Sequence, residues 1–319
     1  AEQTLTRAFS LYPPEVVILD IIQDGIAEMG RRWYAGEATV QQEHFASQLA
    51  VRRLKALMSS TPPPTRRGRI LVACPPGEEH IIGPLAFALL LRRAGWDVIY
   101  LGASVPLDRM EQTVDATTPD VVVLAAQQLH TAGDLLEMAE LLNRKDISVA
   151  FGGGIFTREP GLRSRVPGHF LGLTLKEAVQ QTERLMVKTG PAPTVEGRSD
   201  VYEQALSAYL NHQLTLEAEV WQALRGTDLE PEIIRDVSRT FSDSLVTALK
   251  FGDIELLDDY VDWMERRNGN DRLSARTLHQ VLEAYLRVMK DQLDEYGALI
   301  ADWLDQWIRR RAEGSTQPE

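Results

Sequence analysis

Apolar positions in the first 60 residues recur three and four apart, the spacing that lines side chains along one face of a helix. In "PPEVVILDIIQDGIAEMGRRW" they are Val16, Leu19, Ile22, Ile26 and Met29, after a proline pair at 13 and 14 that marks the helix start. A second helix is expected from about Thr39, burying Phe45, Leu49, Val51, Leu54 and Leu57, with "YAGEA" as the turn before it. The pattern changes after the proline-rich break "SSTPPPTRRGR" at 59–69. Short apolar runs follow, at 69–75, 97–102, 120–126, 148–154 and 169–173, separated by helix-like segments near 80–94, 107–117, 132–143 and 174–188.

Five β-rich runs alternating with helices predict a parallel, doubly wound sheet of the flavodoxin-like (Rossmann-like) type. A second break, "TGPAPTVEGRSD" at 189–200, is rich in Pro, Gly and small polar residues, and everything beyond it reads as helix. There Leu282, Leu286, Met289, Leu293, Tyr296, Ile300, Trp303 and Trp307 predict one long helix whose apolar seam packs in a bundle or a homodimer interface. The expected class is α/β plus all-α: a helical bundle over 1–60, the sheet domain over 65–188, a linker over 189–200 and a helical domain over 201–319.

Charge and cysteine usage narrow the function classes. The net charge of −12 over 319 residues argues against this chain holding nucleic acid by itself, since phosphate binding draws on clustered Lys and Arg. The single cysteine, Cys74, excludes a disulfide framework and a Cys-rich zinc site and suits a reducing compartment. The longest apolar stretch, at 81–91, is too short to span a bilayer and carries Gly and Pro, and no signal-like segment opens the chain. A cytoplasmic protein without membrane attachment is expected.

Open parallel sheets bind ligands beyond the carboxyl ends of their strands, at the point where strand order reverses. The loop after the first strand reads "CPPGEEHIIGP". It places His80 at the ligand face, and Glu78, two residues earlier, can accept its second ring N–H, fixing the tautomer and raising its basicity as a metal ligand. Gly83, and the run Gly152, Gly153 and Gly154 after the fourth strand, leave room for a bulky planar ligand. Taken one at a time, a polar residue at a helix start and a few turn glycines are commonplace; their meeting at one sheet edge is not.

These residues resemble a known family. "EEHIIG" is similar to the Asp/Glu-x-His-x-x-Gly cobalamin motif, with "LGASVP" (including Ser104 and Val105) after the second strand and the glycine run in their usual places. The resemblance covers roughly residues 65–190 and implies cobalamin bound base-off, with His80 as lower cobalt ligand and the dimethylbenzimidazole tail entering the sheet domain. The Ser-x-Leu usual after the third strand is replaced around Ala125, Ala126 and Gln127. Upstream, Trp33 followed after nine residues by Glu43 and His44 resembles the W-x9-EH signature of CarH-like photoreceptors. By that likeness adenosylcobalamin is the cofactor, Trp33 lies at the adenosyl group, and Glu43 and His44 hold its ribose and adenine side. Tyr34 stands where that family can carry a histidine able to seize cobalt after photolysis, so a bis-histidine light product is not implied.

Domain order then resembles the photocobilins, which pair cobalamin with biliverdin in a globin-like helical domain. A bilin needs cations for two propionates, an acid or imidazole near its pyrrole nitrogens, and an aromatic lining. Tyr260, Trp263, Arg266, Arg267, Arg272, Arg276, His279 and Tyr285 surround one expected turn and are the candidates. With Cys74 in the sheet domain, such a bilin would be noncovalent or else sit at the domain junction. His130, His169 and His212 read as ordinary structural or surface histidines. The resulting expectation is a non-enzymatic light sensor, a homo-oligomer with a dimer favoured, whose effector domain lies outside this chain. The alternatives are a corrinoid carrier subunit of a methyltransferase or mutase, and a heme sensor using His279 or His212.

Overall fold

The computed structural model describes residues 2–187, 193, 195, 197–267 and 275–314. The chain divides into two compact units, Ala1–Val195 and Glu196–Glu319, so the boundary falls inside the expected linker.

The first unit opens with helices α1 (Glu2–Leu11), α2 (Pro14–Val16), α3 (Gln23–Tyr34) and α4 (Val40–Ser59). Between α2 and α3, Val17–Ile22 form a π-helical turn, with the Gln23 N–H donating to the Ile18 carbonyl five residues back. That wider turn shifts the phase of the helix face. Val17, Ile18 and Ile22 are buried, whereas Val16 is exposed and Leu19, Ile26 and Met29 are only part-buried, which corrects the face expected from a uniform 3.6-residue period. Helix α4 starts where its sequence demands: the Thr39 hydroxyl accepts from the Gln42 N–H while the Gln42 side chain accepts from the Thr39 N–H, a reciprocal cap. Leu49, Val51 and Leu54 are buried, but Phe45, expected on the same face, is exposed.

Strands β1 (Arg69–Ala73), β2 (Asp97–Gly102), β3 (Val121–Ala125), β4 (Ser148–Gly152) and β5 (His169–Phe170) form one sheet in the order β2-β1-β3-β4-β5. All pairings are parallel, with Ile70 beside Val121 and Val121 beside Ser148. Helices α5 (Ile82–Arg93), α6 (Leu107–Thr117), α7 (Leu129–Asn143), α8 (Ile155–Arg158) and α9 (Leu175–Val187) complete the unit. Burial on both faces explains why β1 and β3 read as continuous Val/Ile/Leu runs instead of alternating ones. Bundle and sheet share a core: Val17, Ile18 and Leu54 pack with Leu85 and Leu89 of α5. Strand order reverses between β1 and β3, so the crevice lies over their carboxyl ends.

The second unit contains α10 (Asp200–Ala223), α11 (Pro231–Phe251), α12 (Leu256–Arg267), α13 (Ala275–Gln292) and α14 (Ala298–Gly314). The single long terminal helix of the sequence reading is two helices. At Asp294 the side chain accepts from the Tyr296 N–H, opening a 3-10 turn over Glu295–Gly297, and at Gly297 a side chain would collide with Leu293. The seam therefore folds back on itself: Leu282, Met289, Ile300, Trp303 and Trp307 belong to one core, and Tyr296 at the break is exposed. Among the described residues no helix is long and apolar enough to cross a membrane.

Candidate functional site

Glu78 is the hub of the crevice. Its carboxylate is 1% exposed and bridges the loops after β1 and β3. One oxygen lies 2.7 Å from His80 Nδ1 and accepts from the His80 N–H at 2.9 Å. The other accepts from the Gln127 N–H and the Thr131 hydroxyl, each at 2.6 Å. Burial by itself would raise this carboxyl. The hydrogen bonds from the His80 ring, Thr131 and the Gln127 and His80 N–H groups outweigh it and hold the pKa at about 2. Glu78 is thus a fixed anion, and His80 is raised from its usual range, chiefly by this same contact. With Nδ1 engaged and the ring 56% exposed, Nε2 is the nitrogen left for a ligand.

Neighbouring loops lock this arrangement. Ser104 and Val105 tie the β1 and β2 loops together. Ser104, at φ 47, accepts from the Gly77 N–H and donates its own N–H to the Glu78 carbonyl, while Val105 is buried and donates to the Cys74 carbonyl. The glycines also separate by role. At Gly83 and Gly152 an added Cβ would meet nothing within 4 Å, so both border open space. Gly153, at φ 120, lines the neighbouring cavity as well, but a Cβ there would collide with the Ala126 carbonyl, so glycine is also needed for the approach of two backbones. Gly154 lines the cavity too, with the Gln127 side chain against it accepting its N–H at 2.9 Å.

Beside the hub a cavity of about 270 Å³ runs into the sheet domain, bordered by Val72, Gly83, Phe87, Leu124, Ala125 and Gly152. Its largely apolar lining and glycine edges suit a flat heteroaromatic group, and the exposed His80 nitrogen suits a transition-metal ion. Cobalamin offers both, so these residues fit it.

On the bundle, Glu43 accepts from the Ser47 hydroxyl at 2.5 Å and lies 3.8 Å from His44 Nε2. Glu43 lies in the first turn of α4, and its charge contributes to raising His80. His44 is mostly exposed and Trp33 is part-buried; the Tyr34 side chain lies outside the described residues. Cys74, at the end of β1, is buried, and burial together with the Glu78 and Glu79 charges pushes its thiol up to about 12.

The helical unit does not gather its candidates into a comparable cluster. Tyr285 is fully buried in the core 5.0 Å from the Phe241 ring, and its hydroxyl has no hydrogen bond of normal geometry, although Ser238 is near enough to temper its raised pKa. That corrects its expected place on a pocket wall. Arg276 is exposed, Tyr260 is part-buried, and His279 pairs with Glu283 at 3.4 Å beside the Trp307 ring. Arg272 and the side chains of Trp263, Arg266 and Arg267 lie outside the described residues. His212 Nδ1 lies 2.9 Å from the Ala208 carbonyl one turn back, and His169 Nε2 is buried without a partner.

Sequence reading missed Thr131 and Gln127, which complete the Glu78 shell. A threonine at the third position of the helix after β3 was the available signal, because that position faces back toward the strand ends.

Residues 68–173 match a B12 binding domain, and residues 1–58 match a second B12 binding domain model. The chain is 35% identical over 130 residues to the HTH-type transcriptional repressor CarH of Myxococcus xanthus, covering 41% of this chain and 43% of that protein. It is 36% identical over 100 residues to CarA of the same organism, covering 31% and 33%. It thus spans less than half the length of these relatives. The monomethylamine corrinoid protein of Methanosarcina barkeri shares the fold, with a TM-score of 0.51 at 16% identity over 58% of this chain and 90% of that one. The first unit is thus similar to B12-binding domains, and the chain is similar over part of its length to CarH and CarA.

Proposed function

We propose that this chain, with its paired B12-binding domains, is a light-responsive sensor that uses adenosylcobalamin, with His80 as the lower cobalt ligand. The observation that carries the reading is the His80–Glu78 pair: a buried anion orients an imidazole at the switch point, beside an apolar cavity bordered by open glycines. When bound, the cofactor supplies a cobalt–carbon bond weak enough for visible light to cleave.

The chain's own residues then do three things. Glu78 holds the His80 proton on Nδ1, so that Nε2 presents its lone pair. Val72, Phe87 and Leu124 exclude water from the tail cavity. Trp33, Glu43 and His44, on the α3 and α4 ends, hold the adenosyl side. Because α4 shares a core with α5, loss of packing at the bundle is relieved by moving helices, which links light to structure. The chain is a sensor and not an enzyme, and its output lies in an effector outside the residues described. A globin-like helical unit carrying noncovalent biliverdin, held by His279, Arg272 and Arg276, is the finer part of the reading.

A corrinoid carrier for methyl transfer is the rival, favoured by the fold shared with the Methanosarcina protein. One experiment separates them: absorption spectra of the full chain loaded with adenosylcobalamin, in darkness and after green light. A sensor shows a light-dependent spectral change and a change in hydrodynamic size. Unchanged size after complete photolysis favours the carrier, and an unchanged spectrum defeats the sensor reading. Biliverdin added to the same sample tests the helical unit, where an unchanged bilin spectrum defeats that part alone.

A further inference from the structure

Among the described residues, the charges felt at the His80 ring are those of two acids, Glu78 and Glu43, and one cation, Arg158. Gln127 fixes where that cation stands. Its N–H donates to Glu78 at 2.6 Å, its side-chain oxygen accepts from the Gly154 N–H at 2.9 Å, and its carbonyl accepts from one terminal nitrogen of Arg158. The other terminal nitrogen lies against Gly154, 3.2 Å from where a Cβ would stand. Gly154, Gln127 and Thr157, the residue before Arg158, all border the cavity of about 270 Å³, so the guanidinium lies at its rim. Arg158 is exposed, and a guanidinium carries five N–H donors of which the Gln127 carbonyl takes one, so donors remain for a ligand.

The geometry points to Arg158 as a phosphate-binding residue, holding the phosphodiester that joins the corrin ring of cobalamin to the base of its tail. This rests on cobalamin being the ligand, and holds for the sensor and the carrier alike. A tail that runs from the corrin at His80 into the cavity crosses the cavity rim, and the phosphodiester is its fixed negative charge. Beside Glu78 and Glu43 that charge would be repelled. The planar guanidinium offsets the repulsion and presents parallel N–H donors to two phosphate oxygens. Val72, Phe87 and Leu124 border the apolar interior, which suits the base. Interior and rim thus match the apolar and the anionic parts of one tail, and Gln127, by bonding both Glu78 and Arg158, sets the rim cation in register with the His80 ligand.

Three corrinoids test the contact: adenosylcobalamin; adenosylcobinamide phosphate, which keeps a phosphate but lacks the base; and adenosylcobinamide, which lacks both. Each is titrated in darkness into the full chain, and its dissociation constant is taken from the absorption spectrum. Arg158→Met is expected to weaken binding of the two phosphate-bearing corrinoids about tenfold, as loss of one charge-assisted contact does, and to leave adenosylcobinamide within about twofold. The retained adenosylcobinamide binding also shows that the variant is folded. Should Arg158→Met misfold, Arg158→Gln carries the same expectation. Equal weakening of all three corrinoids, or undiminished binding of adenosylcobalamin, overturns the proposal and leaves the cofactor reading standing. An unmodified chain that binds none of the three defeats both.

Discussion

The crevice over β1 and β3 and the interior of the helical unit both bury polar groups, but they use them differently. In the crevice four donors converge on one carboxylate and leave a ring nitrogen unengaged at the surface. In the helical unit the polar groups largely satisfy one another. The Tyr209 hydroxyl donates to Ser242 at 2.9 Å, the Gln213 amide donates to Ser242 at 2.9 Å and to Glu217 at 3.2 Å, and Ser242 donates to Glu217 at 3.1 Å. A polar cluster that closes on itself stabilises a packing arrangement; one that ends on an open nitrogen prepares a binding event.

The contrast is sharpest at Glu78. Glu78→Ala strands the buried Thr131 hydroxyl and the Gln127 N–H and removes the partner of His80. It should cost about 3–5 kcal/mol of stability, the range for breaking a buried charged pair, measured by urea unfolding of the first unit's signal. The pH dependence has a definite sign. Glu78 is depressed from 4.5 to about 2, so its contribution is complete above pH 4.5 and is lost as the pH falls toward 2. A shift of that size corresponds to roughly 3 kcal/mol, and Glu78→Gln should flatten this part of the acid-unfolding profile. The raised pKa of His80 works in the other direction, its contribution fading as pH rises through its folded value.

Two glycines divide folding from binding. Gly153→Ala should cost about 2–3 kcal/mol with or without cofactor, because a left-handed backbone position is strained and its neighbour is a carbonyl. Gly152→Val should leave thermal stability nearly unchanged while filling space beside the cavity, so cobalamin affinity falls. If Gly152→Val binds normally, the cavity is not where the tail goes.

The smallest effect belongs to the helical unit. Tyr285→Phe removes a buried hydroxyl that has no hydrogen bond of normal geometry and should be neutral or stabilising by up to about 1 kcal/mol, whereas Tyr209→Phe should cost about 1 kcal/mol. Equal effects in calorimetric scans would show that Tyr285 has a partner and that the cluster extends to α13.

Legibility in the sequence followed geometry. Strand runs were readable because β1 and β3 are buried on both faces, and His80 was readable because parallel topology directs every post-strand loop to the same edge. The phase of the first long helix was not, since a π-helical turn leaves no mark in apolar spacing. The break at Asp294 was hidden because a helix that folds back keeps its apolar residues in one core and its seam intact along the sequence. Tyr285 was misplaced because proximity along a turn-containing segment says nothing about which side of a helix a residue occupies. Gly153 was read as ligand space and does line the cavity, but its close approach to the Ala126 carbonyl could not be seen in the sequence.

Cobalt ligation is tested most directly by electron paramagnetic resonance of the full chain loaded with cobalamin in its cobalt(II) state, with every protein nitrogen replaced by nitrogen-15. The axial nitrogen splits each cobalt line, into three for nitrogen-14 and two for nitrogen-15. If His80 is the lower ligand, the labelled chain shows doublets and the unlabelled chain triplets, and His80→Ala abolishes the doublets. Triplets persisting in the labelled chain would mean that the cofactor's own base remains on cobalt, and would contradict the account.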